Sequence, residues 1–193
     1  MSGPQFYLAS ASPRRKQLLE QLGLRFEVLT VDVDESPKAE ESAPDYVLRV
    51  AALKAQAAIA RLGMPSLPVL AADTTVVLDG AILGKPKGRE DAIGMLSRLG
   101  GRQHQVLSAV ALWNRGALDT VLCESRVRFR RIDPEEAGAY WDSGEPRDKA
   151  GAYGIQGMGA MFVESLEGSY SGVMGLPLFE TAALLGKAGV RVL

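Results

Sequence analysis

Strand-like and helix-like stretches follow one another along the whole chain, separated by Gly, Pro and Ser punctuation. The apolar run at 6–9 reads as a short buried strand; Ser12-Pro13 then opens a helix that carries Leu18, Leu19 and Leu22 and stops at Gly23. A second strand is expected over 25–31, an acidic loop over 32–41 and a helix over 44–62. The stretch 68–78 reads as a long apolar strand, and Asp79-Gly80 is a strong hairpin signal leading into Ile82 and Leu83. A helix over 90–99 ends at Gly100-Gly101, and strands over 105–113 and 118–130 flank the turn Asn114-Arg115-Gly116. In the second of these, Val121, Cys123, Val127 and Phe129 alternate with Glu124, Arg126, Arg128 and Arg130, the pattern of one buried and one wet face. A helix starting at Asp133, a glycine-rich stretch over 144–175 and a helix over 177–185 follow. Helices alternating with strands, with at least one hairpin, predict a mixed α/β sheet flanked by helices rather than a purely parallel one. No linker, repeat or low-complexity segment interrupts the pattern, so one domain over 1–193 is expected.

Composition narrows the chemistry. The 193 residues are 47% hydrophobic, enough for a sizeable core, and 22 Lys and Arg nearly balance 23 Asp and Glu. Such a balance gives no field strong enough to hold a nucleic acid polymer or an anionic membrane, so an anionic ligand has to be recognised locally. Cys123 is the only cysteine and His104 the only histidine, which excludes an internal disulfide, a cysteine-based zinc cluster and a two-histidine metal site. The stretch 1–8 lacks a basic region followed by an apolar one, and no run approaches the ~18 apolar residues of a membrane helix. A cytoplasmic location is therefore expected. Neither G-x-G-x-x-G nor G-x-x-x-x-G-K-[ST] occurs, so phosphates would have to be held by other means.

Five features carry candidate chemistry. Ser12-Pro13-Arg14-Arg15 places two arginines in the first turn of a helix, where the dipole disfavours cations; Asp133-Pro134-Glu135-Glu136 repeats the cap-proline pattern with the preferred acids. Free backbone N–H groups and two guanidinium forks suit phosphate oxygens, although solvated surface arginines would read the same way. Asp73 stands in an otherwise apolar strand, where a lone carboxylate must be paired, metal-bound, protonated or at a cleft mouth, unless it lies on a wet face. Lys54 shares the stripe of Val47, Val50, Ala51 and Ala58 and either meets an anion or snorkels; Lys85, in Leu83-Gly84-Lys85-Pro86, is placed to reach the same cleft. Asp32, Asp34 and Glu35 form an acidic cluster of oxygen ligands suited to magnesium or manganese, or simply a solvated loop. Finally, the glycines around Tyr153 and Gln156 allow close approach of a flat ligand, and the amide of Gln156 matches the donor and acceptor edge of uracil or thymine.

Together these segments resemble the Maf family of nucleotide pyrophosphatases, once named for septum formation. The resemblance spans nearly the whole chain and rests on Leu8-Ala9-Ser10-Ala11-Ser12-Pro13-Arg14-Arg15, Asp34-Glu35-Ser36, Lys54-Ala55, Ala72-Asp73-Thr74, Leu83-Gly84-Lys85-Pro86, the run 148–157 and Gly175-Leu176-Pro177. It implies a fold similar to that of the inosine triphosphate pyrophosphatases, with two lobes around a central cleft, and often a homodimer. The Ile155-Gln156-Gly157 form looks like the branch acting on dTTP and UTP rather than the branch preferring 7-methyl-GTP. The resemblance further implies catalysis by Asp73, substrate choice by Arg14, Thr74 and Gln156, and phosphate binding by Ser10, Arg15, Lys54 and Lys85. It implies a divalent cation at Glu35 and Asp73, magnesium first, with manganese or cobalt as alternatives. Thr75 departs from the valine common at its position. The expected reaction is hydrolysis of a nucleoside triphosphate to monophosphate and pyrophosphate, which limits incorporation of unwanted or modified nucleotides. The rival expectation is a non-catalytic nucleotide-binding regulator of cell division.

Overall fold

The apolar runs pair into one seven-stranded sheet in a computed structural model that describes residues 3–63 and 65–192. The strands are β1 (Phe6–Ala9), β2 (Phe26–Val28), β3 (Val69–Leu78), β4 (Ala81–Leu83), β5 (Gln103–Asn114), β6 (Ala117–Phe129) and β7 (Val163–Glu167). The helices are α1 (Pro13–Gln21), α2 (Ala43–Leu62), α3 (Arg89–Leu99), α4 (Pro134–Asp142), α5 (Tyr170–Met174) and α6 (Leu178–Lys187). The sheet order is β2-β1-β3-β5-β6-β7, with β4 also on β3. β1 pairs in parallel with both β2 and β3, and the remaining pairs are antiparallel, so the sheet is mixed as the alternation of elements predicted. Both hairpins turn where expected: Asp79 and Gly80 have φ of 51° and 78°, Arg115 and Gly116 of 49° and 91°, the doubly left-handed geometry that matches strand twist.

One correction concerns the elements. β2 is three residues rather than the seven expected over 25–31, because its only partner, β1, is four residues long. The glycine-rich stretch over 144–175, for which the sequence pattern predicts no element, holds three short 3-10 turns, the edge strand β7 and α5. Of the residues 1–8 read for a targeting signal, 1 and 2 lie outside the described residues.

Side-chain alternation along β3 sorts the core. One face packs Val69, Ala71 and Val77 under α2, whose Val47 and Val50 are fully buried and contribute about 1.5–3 kcal/mol each. The other face carries two separate clusters. Leu70 and Ala72 pack with Leu18 and Leu19 of α1 and Leu184 and Leu185 of α6; Val76 and Leu78 pack with Leu96 and Leu99 of α3 and Tyr140 of α4.

The division between these clusters coincides with a fork in the sheet. β5 covers one edge of β3 from Val69 to Val77. On the opposite edge β1 reaches only Ala71 and β4 begins only at Val76. Among the described residues no strand covers Ala72, Asp73, Thr74 and Thr75 on that edge. The C-terminal ends of β1 and β4 point at each other across this opening, the kind of switch point at which open α/β sheets place their ligands.

Candidate active site

Asp73 is one of the four uncovered residues, on the α2 face of β3, and is 6% exposed. A carboxylate so buried needs a partner. Lys54, on the buried stripe of α2, supplies it: its Nζ donates to Asp73 Oδ1 at 2.7 Å and stands 2.7 Å from Glu35 Oε1. One ammonium thus gathers two carboxylates from distant parts of the sequence. Burial alone would push the Glu35 carboxyl up, but its hydrogen bond to Lys54 and the charges of Lys54, Lys85 and Arg15 hold it below the usual carboxylate range. Burial, then the negative charges of Asp73 and Glu35, push the hydroxyl of Tyr46 on α2 up to about 12. Lys85, exposed on the loop after β4, acts on Glu35 through its charge from the far side of the opening.

The acidic loop behaves differently from the cluster expected. Only Glu35 joins Asp73. Asp34 turns to the backbone N–H of Ser36 at 2.9 Å, and among the described residues no group of three His, Cys, Asp or Glu side chains could hold a metal ion. Glu35 and Asp73 nevertheless offer hard oxygen donors to the same cation, at present the ammonium of Lys54. Magnesium, which takes one or two carboxylates and completes its shell with water and phosphate oxygens, fits that donor set.

Thr74 points to the opposite face, where Arg15 is the centre. The predicted clash of two arginines with the α1 dipole is real, since the first turn carries no acid and Ser12 makes no side-chain cap; in α4 Asp133 caps the N–H of Glu136 at 2.9 Å. Arg15 escapes by folding back. Its Nε donates to the Gly175 carbonyl at 2.8 Å, and its two terminal nitrogens donate to Ser10 Oγ at 3.2 Å and Thr74 Oγ1 at 3.4 Å. Burial lowers its pKa, partly offset by Asp73 and Glu35. Three of five N–H groups are engaged, leaving two for a ligand. Ser10 Oγ also accepts the N–H of Ser12 at 3.2 Å, which leaves its own proton free to donate. Ser108, 1% exposed, pairs with Thr74 Oγ1 at 2.7 Å and donates to the Gly172 carbonyl at 2.7 Å. Sequence reasoning missed Ser108, although a serine inside the apolar strand 105–113 is the same signal that marked Asp73.

Arg14 reaches across the opening to Asp148 at 3.1 Å. Asp148 begins the run that carries Gln156, and the N–H of Gly151 bonds the carbonyl of Gly84 at 3.1 Å, seating the run beside β4. Gln156 is exposed, between the buried Ile155 and the exposed Gly157. The structure therefore brings Ser10, Arg14, Arg15, Glu35, Lys54, Asp73, Thr74 and Lys85 around one opening, with Gln156 on the loop tied to its rim.

Comparison with known proteins finds a family and relatives that match nearly the whole chain. A family model described as Maf-like protein matches residues 5–188. A protein of Methylobacillus flagellatus named dTTP/UTP pyrophosphatase is 52% identical over 188 residues, covering 97% of this chain and 94% of its own. Proteins of the same name from Bordetella pertussis and Methylococcus capsulatus are 53% and 57% identical, covering 98% and 95% of this chain and 95% and 90% of their own. The Staphylococcus aureus Ham1 protein aligns at a TM-score of 0.44 with 19% identity, over 67% of this chain and 72% of that chain. By the family model and the relatives 52–57% identical to it, the chain belongs to the Maf-like family.

Proposed function

We propose that the protein is a nucleoside triphosphate pyrophosphatase that converts dTTP and UTP to monophosphate and pyrophosphate, working in the cytoplasm with a divalent cation and as a homodimer. The observation that carries the chemistry is Asp73, buried at the uncovered edge of β3 and joined to Glu35 by Lys54. The substrate comes from the names of the relatives and from Gln156.

Arg14, Arg15 and Lys85, with the hydroxyl of Ser10, line the opening where a triphosphate chain would lie. Asp73 orients a water molecule and takes its proton as the water oxygen bonds to the α-phosphorus. The bond from the α-phosphorus to the bridging oxygen breaks, and pyrophosphate leaves with that electron pair. A divalent cation at Glu35 and Asp73 would supply charge neutralisation along the phosphates. Lys54 stays beside both carboxylates and stabilises the charge on the leaving group, so positioning and electrostatics provide most of the acceleration.

The test is to incubate the protein with magnesium and dTTP, UTP, CTP, GTP, ATP or 7-methyl-GTP separately, resolving monophosphate, pyrophosphate and orthophosphate. Monophosphate with pyrophosphate from dTTP and UTP is expected; orthophosphate would move the attack to the γ-phosphorus, and no turnover would favour the regulator that only binds nucleotide. Asp73→Asn is expected to bind nucleotide much as the parent does while turnover falls on the order of 10²–10⁴-fold. Unchanged turnover would refute the role of Asp73.

A further inference from the structure

The loop that presents Gln156 is held by a carboxylate outside the site described above. Glu145, in the 3-10 turn Glu145–Asp148, accepts the Tyr140 hydroxyl proton at 2.6 Å and the Gly159 N–H at 3.1 Å on Oε1, and the Met158 N–H at 2.8 Å on Oε2. The hydroxyl of Tyr140, a residue 1% exposed on α4, in turn accepts the Gly154 N–H at 3.1 Å. Both ends of the hoop 154–159 are therefore fastened to one Tyr140–Glu145 pair, with Gln156 between them.

The glycines of the hoop record how closely it is drawn in. A Cβ at Gly157 would collide with the Glu145 carboxylate, one at Gly159 would stand 2.6 Å from the Tyr140 hydroxyl, and one at Gly154 would stand 2.8 Å from the Lys149 side chain and 3.3 Å from Glu145 Oε1. Lys149 bonds the Glu145 carbonyl and the Asp148 carboxylate, which also receives Arg14. Glu145 thus sits at the start of a bonded path that ends at the arginine on the other side of the opening. Burial works against the charge of the Glu145 carboxyl, but the bonds from Tyr140, Met158 and Gly159 outweigh it and hold its pKa low, so both oxygens act as acceptors at neutral pH.

We infer that Glu145 is a positioning residue for base recognition: through its bonds to Tyr140, Met158 and Gly159 it fixes the hoop that presents Gln156 to the pyrimidine. The inference rests on the proposed dTTP and UTP activity. A carboxylate is needed because all of its partners here are donors. In Glu145→Gln one oxygen becomes an NH₂ group, which meets a donor head-on and releases one end of the hoop.

The experiment is steady-state kinetics of the full-length protein and of Glu145→Gln and Tyr140→Phe with UTP and CTP. For Glu145→Gln, KM for UTP should rise about five- to thirtyfold and the preference for UTP over CTP should shrink by a similar factor, with kcat changing far less. Tyr140→Phe removes one donor to Glu145 and the acceptor of the Gly154 N–H but leaves the two backbone bonds to Glu145, so it releases the other end of the hoop and should show a change of the same kind. A merely structural role would lower Tm and affect both nucleotides alike. Should Glu145→Gln fail to fold, Tyr140→Phe decides: an unchanged KM and an unchanged UTP to CTP ratio overturn the inference. Wild-type protein that turns over UTP beside a Glu145→Gln variant of unaltered KM and ratio overturns it alone. Wild-type protein inactive on both dTTP and UTP overturns the proposed function and this inference together.

Discussion

Arg15 shows how one side chain can tie three elements together and still keep N–H groups uncommitted. Its planar fork ties the end of β1, the uncovered edge of β3 and the turn before α6 through Ser10, Thr74 and Gly175. A lysine has the charge but not the geometry. Arg15→Lys is expected to leave the Gly175 carbonyl without its 2.8 Å partner and to lower Tm by roughly 2–12 °C, as a thermal melt would record; an unchanged Tm would argue that the fork is dispensable. At this scale Asp73 and Lys54 were legible, because a charge amid apolar neighbours is anomalous in one dimension. Which partner resolved each anomaly was not legible, since Lys54 and Asp73 are nineteen residues apart and Arg15 and Gly175 are 160 apart. Glu145 was invisible in the sequence: it lies in a polar turn and its role exists only through donors from other elements.

Among the elements, β3 positions the site. Its ten residues are long enough to outrun β1 and to start pairing with β4 only after a gap, so the opening follows from strand lengths rather than from any motif. The loop beside β4 depends on close approach at Gly151, which has φ +67° and whose added Cβ would stand 2.9–3.0 Å from the Val76 side chain. Gly151→Ala is therefore expected to cost about 1–3 kcal/mol in urea denaturation. Gly94 lies in the interior of α3 with open space around it, and Gly94→Ala should instead stabilise by about 0.5–1 kcal/mol. Equal effects at the two glycines would contradict the steric argument. Most elements could be read from periodicity and turn residues. β7 escaped because an edge strand paired on one side only, with the sequence Val-Glu-Ser-Leu-Glu, carries little apolar signal, and α5 is too short to show a helical period.

For the molecule as a whole, the single histidine provides a pH test. His104 is 3% exposed, its Nε2 is 2.8 Å from the Tyr153 hydroxyl, and burial lowers its pKa from 6.5 to about 4. The unfolded chain therefore takes up this proton before the folded one does. The stability contribution of neutral His104 is present above pH 6.5 and is lost as pH falls toward about 4, to the extent of about 3 kcal/mol. Wild-type protein should lose more stability over that window than His104→Gln, whose side chain does not titrate; parallel losses would show that carboxylates alone govern the acid limb. No helix among the described residues is long and apolar enough to cross a membrane, in keeping with the absence of a long apolar run in the sequence.

The sequence alone determined what local chemistry can dictate. It set the alternation of elements, the two left-handed hairpin turns, the mixed class of sheet, and the residues whose charge or flexibility conflicts with their surroundings. These are properties of neighbours in the chain, fixed by periodicity, backbone sterics and the cost of misplaced charge. Tertiary structure decided what depends on distant segments meeting. It decided that β1 and β4 stop short of each other on β3, that Glu35 rather than Asp34 reaches Lys54, that Arg15 turns inward, and that Glu145 ties down the loop of Gln156. Each is a competition for one space or one hydrogen-bond partner, and such competitions are settled only when the whole chain is packed.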